Sequence, residues 1–284
     1  MEKPLEEPAS QARARNKAVM IDLHCHILPG IDDGSPDLAT SLEMAKIAVD
    51  DGIRTIACTP HIYPGLYENT ASGIRAAIAS LQQEFDRRSI PLRLVEGADA
   101  HLDPDLAAGV TQGRVPTLAG SRYLLLEPPH HVAPPRFEDA VFKLIAKGYV
   151  PVITHPERLS WLEDHYAEFG RLVEMGAWMQ ITSGSLTGRF GRAPKYWAEK
   201  MLDDGLVHIL ATDSHHFKVR PPLLREGQEA AAKRVGAAAA QQMVIDRPQG
   251  IVENKSPAEL LVGFAGPQSS RATGGFWRSL FGRA

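Results

Sequence analysis

Short, nearly continuous apolar runs alternate along this 284-residue chain with longer segments whose apolar residues recur every three or four positions, the rhythm of repeated β/α units. The runs predict strands at Val19–Leu23, Thr55–Thr59, Leu92–Gly97, Tyr123–Glu127, Val150–Thr154, Trp178–Thr182 and His208–Thr212. Several are apolar at almost every position, as strands covered on both faces should be. Helices are predicted in the gaps. Ser35 reads as an N-cap and Pro36 as the first residue of a helix that runs through Leu42, Ile47 and Val49 and stops near Gly52. Others span Ser72–Arg88, Phe137–Lys147 before Gly148, Trp161–Met175 before Gly176, and Pro194–Asp204 before Gly205. Seven such units predict an α/β fold of barrel-like architecture.

The flanks break this rhythm, so the predicted domain covers residues 19–264, with a flexible arm at 1–18 and a flexible tail at 265–284. The tail is rich in Gly, Ser and Arg and ends in Phe276-Trp277-Arg278-Ser279-Leu280-Phe281. As a helix it would gather Phe276, Trp277, Leu280 and Phe281 on one face, a pattern suited to weak contact with an anionic membrane. So short an isolated helix is marginal in water, and a frayed tail is the expectation.

Composition narrows the function. With 44% hydrophobic and 23% charged residues the chain is long enough for one large core, and a formal charge of −3 supplies no basic field for nucleic acid. Cys25 and Cys58 are the only cysteines, too few for a disulfide framework or a thiolate zinc finger and compatible with a reducing cytoplasm. Met1 to Lys17 lacks the apolar stretch of a secretory signal and no later segment is apolar enough to span a bilayer, so a cytoplasmic protein is expected.

The chemistry lies at the ends of the predicted strands, where a β/α barrel builds its active site. The first strand runs into His24-Cys25-His26 and then Asp32-Asp33-Gly34; the second into Thr59-Pro60-His61; the third into Glu96-Gly97-Ala98-Asp99. The next two end at Glu127 and His155, and the last at Asp213-Ser214-His215. Strand periodicity turns His24 and His26 to one face, and likewise Asp213 and His215, so that each pair can share an ion. A cluster of two or three divalent metals serving a phosphoesterase is the expectation. Arg158 and Arg220 follow His155 and the Asp213/His215 pair, within reach of phosphate oxygens. By contrast His130, His131, His165 and His216 read as loop or surface residues, and His208 begins a strand away from the site. A cysteine-dependent phosphatase needs Arg six positions after its nucleophile; Ile31 and Pro64 stand there, so both thiols read as packing residues.

Taken together, Met20-Ile21-Asp22-Leu23-His24-Cys25-His26, Asp32-Asp33-Gly34, Thr59-Pro60-His61, Ser121-Arg122-Tyr123, Thr154-His155-Pro156-Glu157-Arg158 and Asp213-Ser214-His215 resemble the polymerase and histidinol phosphatase (PHP) superfamily. Within it the chain resembles the bacterial manganese-dependent protein-tyrosine phosphatases of capsule and exopolysaccharide operons, from about Met20 to Val252. The resemblance implies the PHP fold, a distorted TIM-like (β/α)7 barrel. It also implies three metal groups: His24, His26, Asp99 and Asp213; Asp99, Glu127 and His155; and Asp33, His61 and His215. Asp99 replaces the family's usual Glu, and the loop Ile62–Asn69 lacks a basic residue that relatives often carry. Manganese is the implied metal, although iron or zinc also suits imidazole and carboxylate donors. The implied substrate is a phosphotyrosine protein, a membrane-bound tyrosine kinase of polysaccharide export, reached from the cytoplasm at the inner face of the membrane. A small-molecule phosphatase of the histidinol-phosphatase type is the alternative within the same superfamily.

Overall fold

The computed structural model describes residues 19–263. The predicted N-terminal arm and C-terminal tail lie outside the described residues.

Among the described residues, nine parallel strands form two sheets: β1 (Met20–Cys25), β2 (Ile53–Cys58) and β4 (Arg93–Glu96) in the order β1-β2-β4, and β3 (His61–Ile62), β5 (Asp99–His101), β6 (Tyr123–Glu127), β7 (Val150–Thr154), β8 (Trp178–Thr182) and β9 (Ile209–Ala211) in the order β3-β5-β6-β7-β8-β9. The seven predicted strands are all present, and β6, β7 and β8 have the predicted bounds. Two further short strands, β3 and β5, lie beyond the predicted bounds. Proline has no N–H to continue a ladder, so the second predicted strand stops before Pro60 and resumes as β3. The third stops before Gly97-Ala98 and resumes as β5 in the other sheet, with His61 opposite Asp99. At the opposite edges, β1 meets the segment after β9 through a parallel bridge between Cys25 and Ser214, with the Asp213 N–H donating to His24 O and the His26 N–H to Ser214 O, both at 2.8 Å. The arrangement is α/β with two parallel sheets; a continuous ring of strand pairing is not seen among the described residues.

Alternation within each strand divides the core in two. Leu124 and Leu126 pack outward with Met44, Phe85, Phe137 and Phe169 of the covering helices. Tyr123 and Leu125 turn inward to join Leu23, Ala57, Val152, Trp178 and Ile209. Each fully buried Leu or Phe contributes roughly 1.5–3 kcal/mol, so both faces hold the strands in register.

Helix ends follow the predicted chemistry with one correction. The helix Leu38–Asp51 is capped by Asp37, whose carboxylate accepts the Thr40 N–H at 2.8 Å, and not by Ser35. The Ser35 hydroxyl instead bonds to Asp37 O and Ser41 Oγ, because the chain turns into the helix two residues later than Pro36 suggested. Gly52 at φ 105° and Gly176 at φ 115° close Leu38–Asp51 and Leu162–Met175 in the left-handed conformation that glycine adopts at little cost. Beyond Thr212, where no element was predicted, the chain forms Arg225–Val235, Ala237–Gln241, a π-helical turn Gln242–Asp246 and Arg247–Val252. Of these, Ile251 reaches the inner core. No helix among the described residues is long and apolar enough to cross a membrane.

Candidate metal centre

The strand ends converge as predicted. His24, the penultimate residue of β1, and His26, just beyond it, bring their Nε2 atoms to 3.2 Å from each other. The outer nitrogens are fixed: His24 Nδ1 pairs with Gln180 Oε1 at 2.9 Å and His26 Nδ1 with Asp32 Oδ2 at 2.7 Å. Such outer contacts set ring orientation and leave the inner nitrogen available to a cation. Asp32 also accepts the Gly34 N–H and the His61 N–H, so one carboxylate ties the first loop to β3.

Around this pair the remaining groups close in. Asp213 Oδ1 lies 3.3 Å from His24 Nε2, 3.4 Å from His26 Nε2 and 3.6 Å from His215 Nδ1. Asp33 Oδ1 stands 3.4 Å from both His61 Nε2 and His215 Nε2. Asp99 Oδ2 is 3.4 Å from His24, 3.6 Å from His61 and 3.9 Å from His155. Glu127 faces His61 at 3.3 Å and His155 at 3.7 Å. All nine predicted ligands are therefore in one cluster. Its donor atoms form overlapping groups within 4.8 Å, including His26/Asp33/His61/His215, His24/His26/Asp213, His24/Asp99/His155 and His61/Asp99/Glu127.

These side chains fit metal ions. Most of the separations exceed a normal hydrogen bond, yet donors at about 2.1 Å from a common ion lie about 3.0–3.5 Å from each other. Both carboxylate oxygens of Asp99 and the Nδ1 of His61 are buried without a hydrogen-bond partner of normal geometry among the described residues. A buried unpaired carboxylate is costly unless a cation meets it.

The local electrostatics also favour cations. Burial alone would raise the pKa of Asp213, but Arg220, His24 and Arg158 hold it well below the usual carboxylate range. Burial and Glu127 oppose ionisation of Asp99, whereas His24 and His155 hold it low. Glu127 is held low against its burial by His101, His130 and His61. Burial lowers His155 to about 4, with Arg158 adding to the effect, and lowers His215 to about 4, helped by His26. Against their burial, His24 is raised by Asp99 and Asp213, His26 to about 10 by Asp32 and Asp213, and His61 by Glu127, so the ionised carboxylates favour positive charge here and divalent ions would displace those protons on binding.

Arg158 and Arg220 both donate to Asp213 Oδ2, and the Arg220 Nη2 also donates to Asp213 O at 2.8 Å. Their guanidinium carbons lie 4.6 and 5.5 Å from the centroid of the Phe190 ring. Both arginines line a cavity of about 240 Å³ together with Asp33, His61, Glu127, His155, Asp213 and His215.

Several neighbours escaped the sequence reading. His130 reads from the sequence as a loop or surface residue and does lie in the loop after β6, but its Nε2 stands 3.4 Å from Glu127 Oε1, and it groups with Glu127 and His155. His101 stacks on Tyr63 with centroids 3.8 Å apart and comes within 4.0 Å of Glu127. Its two-residue spacing from Asp99 on β5 was the available signal. Gln180, a polar residue inside an apolar strand, was another. His165 is exposed beside Trp161, while His208 is buried against Trp178. Both cysteines are buried, with burial the first cause of their raised pKa values, in keeping with packing roles.

The family profile described as "Capsular polysaccharide synthesis, CpsB/CapC" matches residues 20–253. The tyrosine-protein phosphatase YwqE of Bacillus subtilis is 37% identical over 243 residues, covering 86% of this chain and 91% of that protein. The tyrosine-protein phosphatase CpsB of Streptococcus pneumoniae is 28% identical, covering 82% and 98%. A crystal structure from work on YwqE and CpsB, described there as metal-dependent tyrosine phosphatases, superposes with a TM-score of 0.80 at 35% identity, covering 84% of this chain and 96% of that one. The histidinol phosphate phosphatase of Lactococcus lactis, at 14% identity and a TM-score of 0.51 over 78% of this chain and 93% of that one, shares the fold alone. On these grounds the chain belongs to the CpsB/CapC family of capsular polysaccharide synthesis.

Proposed function

We propose that this chain is a metal-dependent protein-tyrosine phosphatase whose substrate is a phosphotyrosine protein, in particular a membrane-bound tyrosine kinase of capsule or exopolysaccharide export. The observation that carries the reading is the gathering of nine imidazole and carboxylate side chains in one cluster, six of them lining a single cavity with two arginines, in a chain with the family membership described above. In this reading residues 19–264 act as one catalytic domain on a distorted seven-unit barrel, and a membrane-bound substrate draws the enzyme to the inner face of the membrane.

His24, His26, Asp99 and Asp213 would hold one ion, Asp99, Glu127 and His155 a second, and Asp33, His61 and His215 a third. His130 stands close enough to Glu127 and His155 to join the second group. Manganese is the proposed metal, from the family resemblance and the thiolate-free donors. When bound, divalent ions supply the Lewis acidity that activates water and neutralises the phosphoryl group. Arg158 and Arg220 receive the phosphoryl oxygens. The Arg220 Nε is buried without a hydrogen-bond acceptor among the described residues, which suits an incoming anion. Asp32 and Gln180 hold His26 and His24 in orientation. Phosphotyrosine suits such a site because its phenolate leaving group, with a conjugate-acid pKa of about 10, needs little acid assistance.

Turnover of a phosphotyrosine peptide and of histidinol phosphate should be compared after chelation and after manganese is restored. Manganese-dependent preference for the peptide, lost at least about 100-fold in His155→Ala, is expected. Preference for histidinol phosphate would remove the protein-phosphatase reading, and turnover indifferent to both chelator and His155→Ala would remove the metal reading.

A further inference from the structure

The chemistry of the cavity is divided. Tyr63, Leu66 and Tyr67 come from one short hairpin, while the cavity's other lining residues are all carboxylates, arginines or histidines. A phosphoryl group belongs among the charges, so any apolar body attached to it has only the hairpin to lie against.

The hairpin is built firmly enough to act as a wall. The Tyr63 and Tyr67 backbones pair in antiparallel fashion, with N–H to O distances of 3.0 and 2.8 Å, and the Leu66 N–H closes the turn on Tyr63 O at 3.0 Å. Gly65 takes φ 81° at the tip, which few side chains tolerate. Its N–H donates to Glu68 Oε1 at 2.6 Å, so the charged residue of this hairpin is turned to its own backbone. The Asn69 Nδ2 donates to Ile31 O and His61 O, both at 2.9 Å, and anchors the hairpin base beside the metal cluster. Tyr67 stacks on His61 of the cluster at 5.5 Å, and Tyr63 stacks at 3.8 Å on His101, which neighbours Glu127. Leu66 at the tip remains 62% exposed although it lines the cavity, leaving its side chain free to be covered by a ligand.

We infer that this hairpin, with Leu66 at its centre, is the specificity element that receives the aromatic ring of the substrate and selects aryl over alkyl phosphate esters. The inference rests on the phosphatase reading above and assigns the ring-binding part of the same site. Between Ile62 and Asn69 there is no Lys or Arg, so this loop contributes apolar contact and not charge. The Tyr63 and Tyr67 rings and the Leu66 methyls can cover a planar ring, whereas a small polyhydroxylated alcohol gains nothing from them.

The test uses the full chain loaded with manganese. The ratio of kcat/KM for phenyl phosphate over glycerol phosphate should fall about tenfold in Leu66→Ser, the lower end expected for an apolar contact in an open site. Leu66→Met, which keeps an apolar side chain, should hold the ratio within about twofold. Binding of phenylphosphonate relative to methylphosphonate, followed calorimetrically, should move in parallel and needs no turnover. A ratio unchanged by Leu66→Ser, or lowered equally by Leu66→Met, overturns the inference while leaving the phosphatase reading intact. Wild-type protein that hydrolyses neither ester and binds neither phosphonate withdraws both.

Discussion

At the scale of single residues, the site is held in conformations the backbone does not choose for itself. His155 at φ 35° and Asp213 at φ 48° are non-glycine residues in the left-handed region, where each costs on the order of 1–3 kcal/mol. The His155 N–H to Gln180 O bond at 2.9 Å and the Asp213 N–H to His24 O bond at 2.8 Å help retain them, so neighbouring strands offset the strain. Phe190 acts at one remove, as the ring beneath both guanidinium groups. Cation–π contacts at partly exposed sites are worth about 0.5–1 kcal/mol each, so Phe190→Leu should raise KM for an aryl phosphate about fivefold with kcat within about twofold. Phe190→Tyr should restore KM; loss of kcat in both variants would show that the ring serves only the fold. His208 predicts a pH effect away from the metals. Its ring is buried against Trp178 and its Nδ1 accepts the Met179 N–H, and burial, reinforced by Arg247, lowers its pKa to about 3. The folded state thus binds fewer protons than the unfolded state, whose histidine titrates near 6.5. This stabilisation is full above about pH 6.5 and is lost as pH falls towards 3, amounting to about 2 kcal/mol by pH 5. Relative to wild type, the stability deficit of His208→Phe in urea denaturation should narrow by about that amount between pH 7 and pH 5; a constant difference would refute the assignment.

Secondary structure shows where local sequence is sufficient and where it is not. The bounds of β6, β7 and β8 were legible because each is a short, mostly apolar run, interrupted only by Gln180 in β8, whose end meets a polar residue or a turn. His24 with His26 and Asp213 with His215 were legible because two-residue spacing at a strand end specifies a shared face. Asp32 and His130 were not, since their roles arise when loops return over the strand ends, a tertiary event that periodicity does not encode. The crossing from β4 to β5 was equally hidden, although it places Asp99 in the second sheet. Gly97 occupies that break, and a β-carbon there would lie 2.9 Å from Thr59 Cγ2 and 3.1 Å from Leu118 Cδ2. Gly97→Ala should therefore cost about 1–3 kcal/mol of stability through overpacking. The shift passes two residues down the chain to Asp99, so manganese affinity, measured by titration calorimetry, should weaken as well. Unchanged melting temperature and affinity would mean that the break tolerates a side chain and does not set the position of Asp99.

Across the whole molecule, the two sheets meet at a region of concentrated charge. Asp22 of β1 accepts hydrogen bonds from the backbone and hydroxyl of Thr212 beyond β9, joining positions 190 residues apart, and His24 and Asp213 of the candidate metal-binding cluster lie beside this seam. Side chains from β1, β3, β5, β6 and the segments after β7 and β9 converge there, so cations would act as cross-links between parts of the chain that lie far apart in sequence. The same carboxylates that favour the loaded state repel each other when cations are withdrawn; Glu127 already opposes the ionisation of Asp99. Metal binding should thus contribute to global stability and not only to catalysis. At a manganese concentration about 100 times Kd, ligand linkage gives about 2.7 kcal/mol, which for a domain of this size corresponds to a rise in Tm of about 5–10 °C. Differential scanning fluorimetry after chelation, and again after manganese is restored, measures that difference. His155→Ala should reduce it by weakening one ion while sparing the rest, and a Tm indifferent to chelator and manganese would show that the gathered side chains hold no ion.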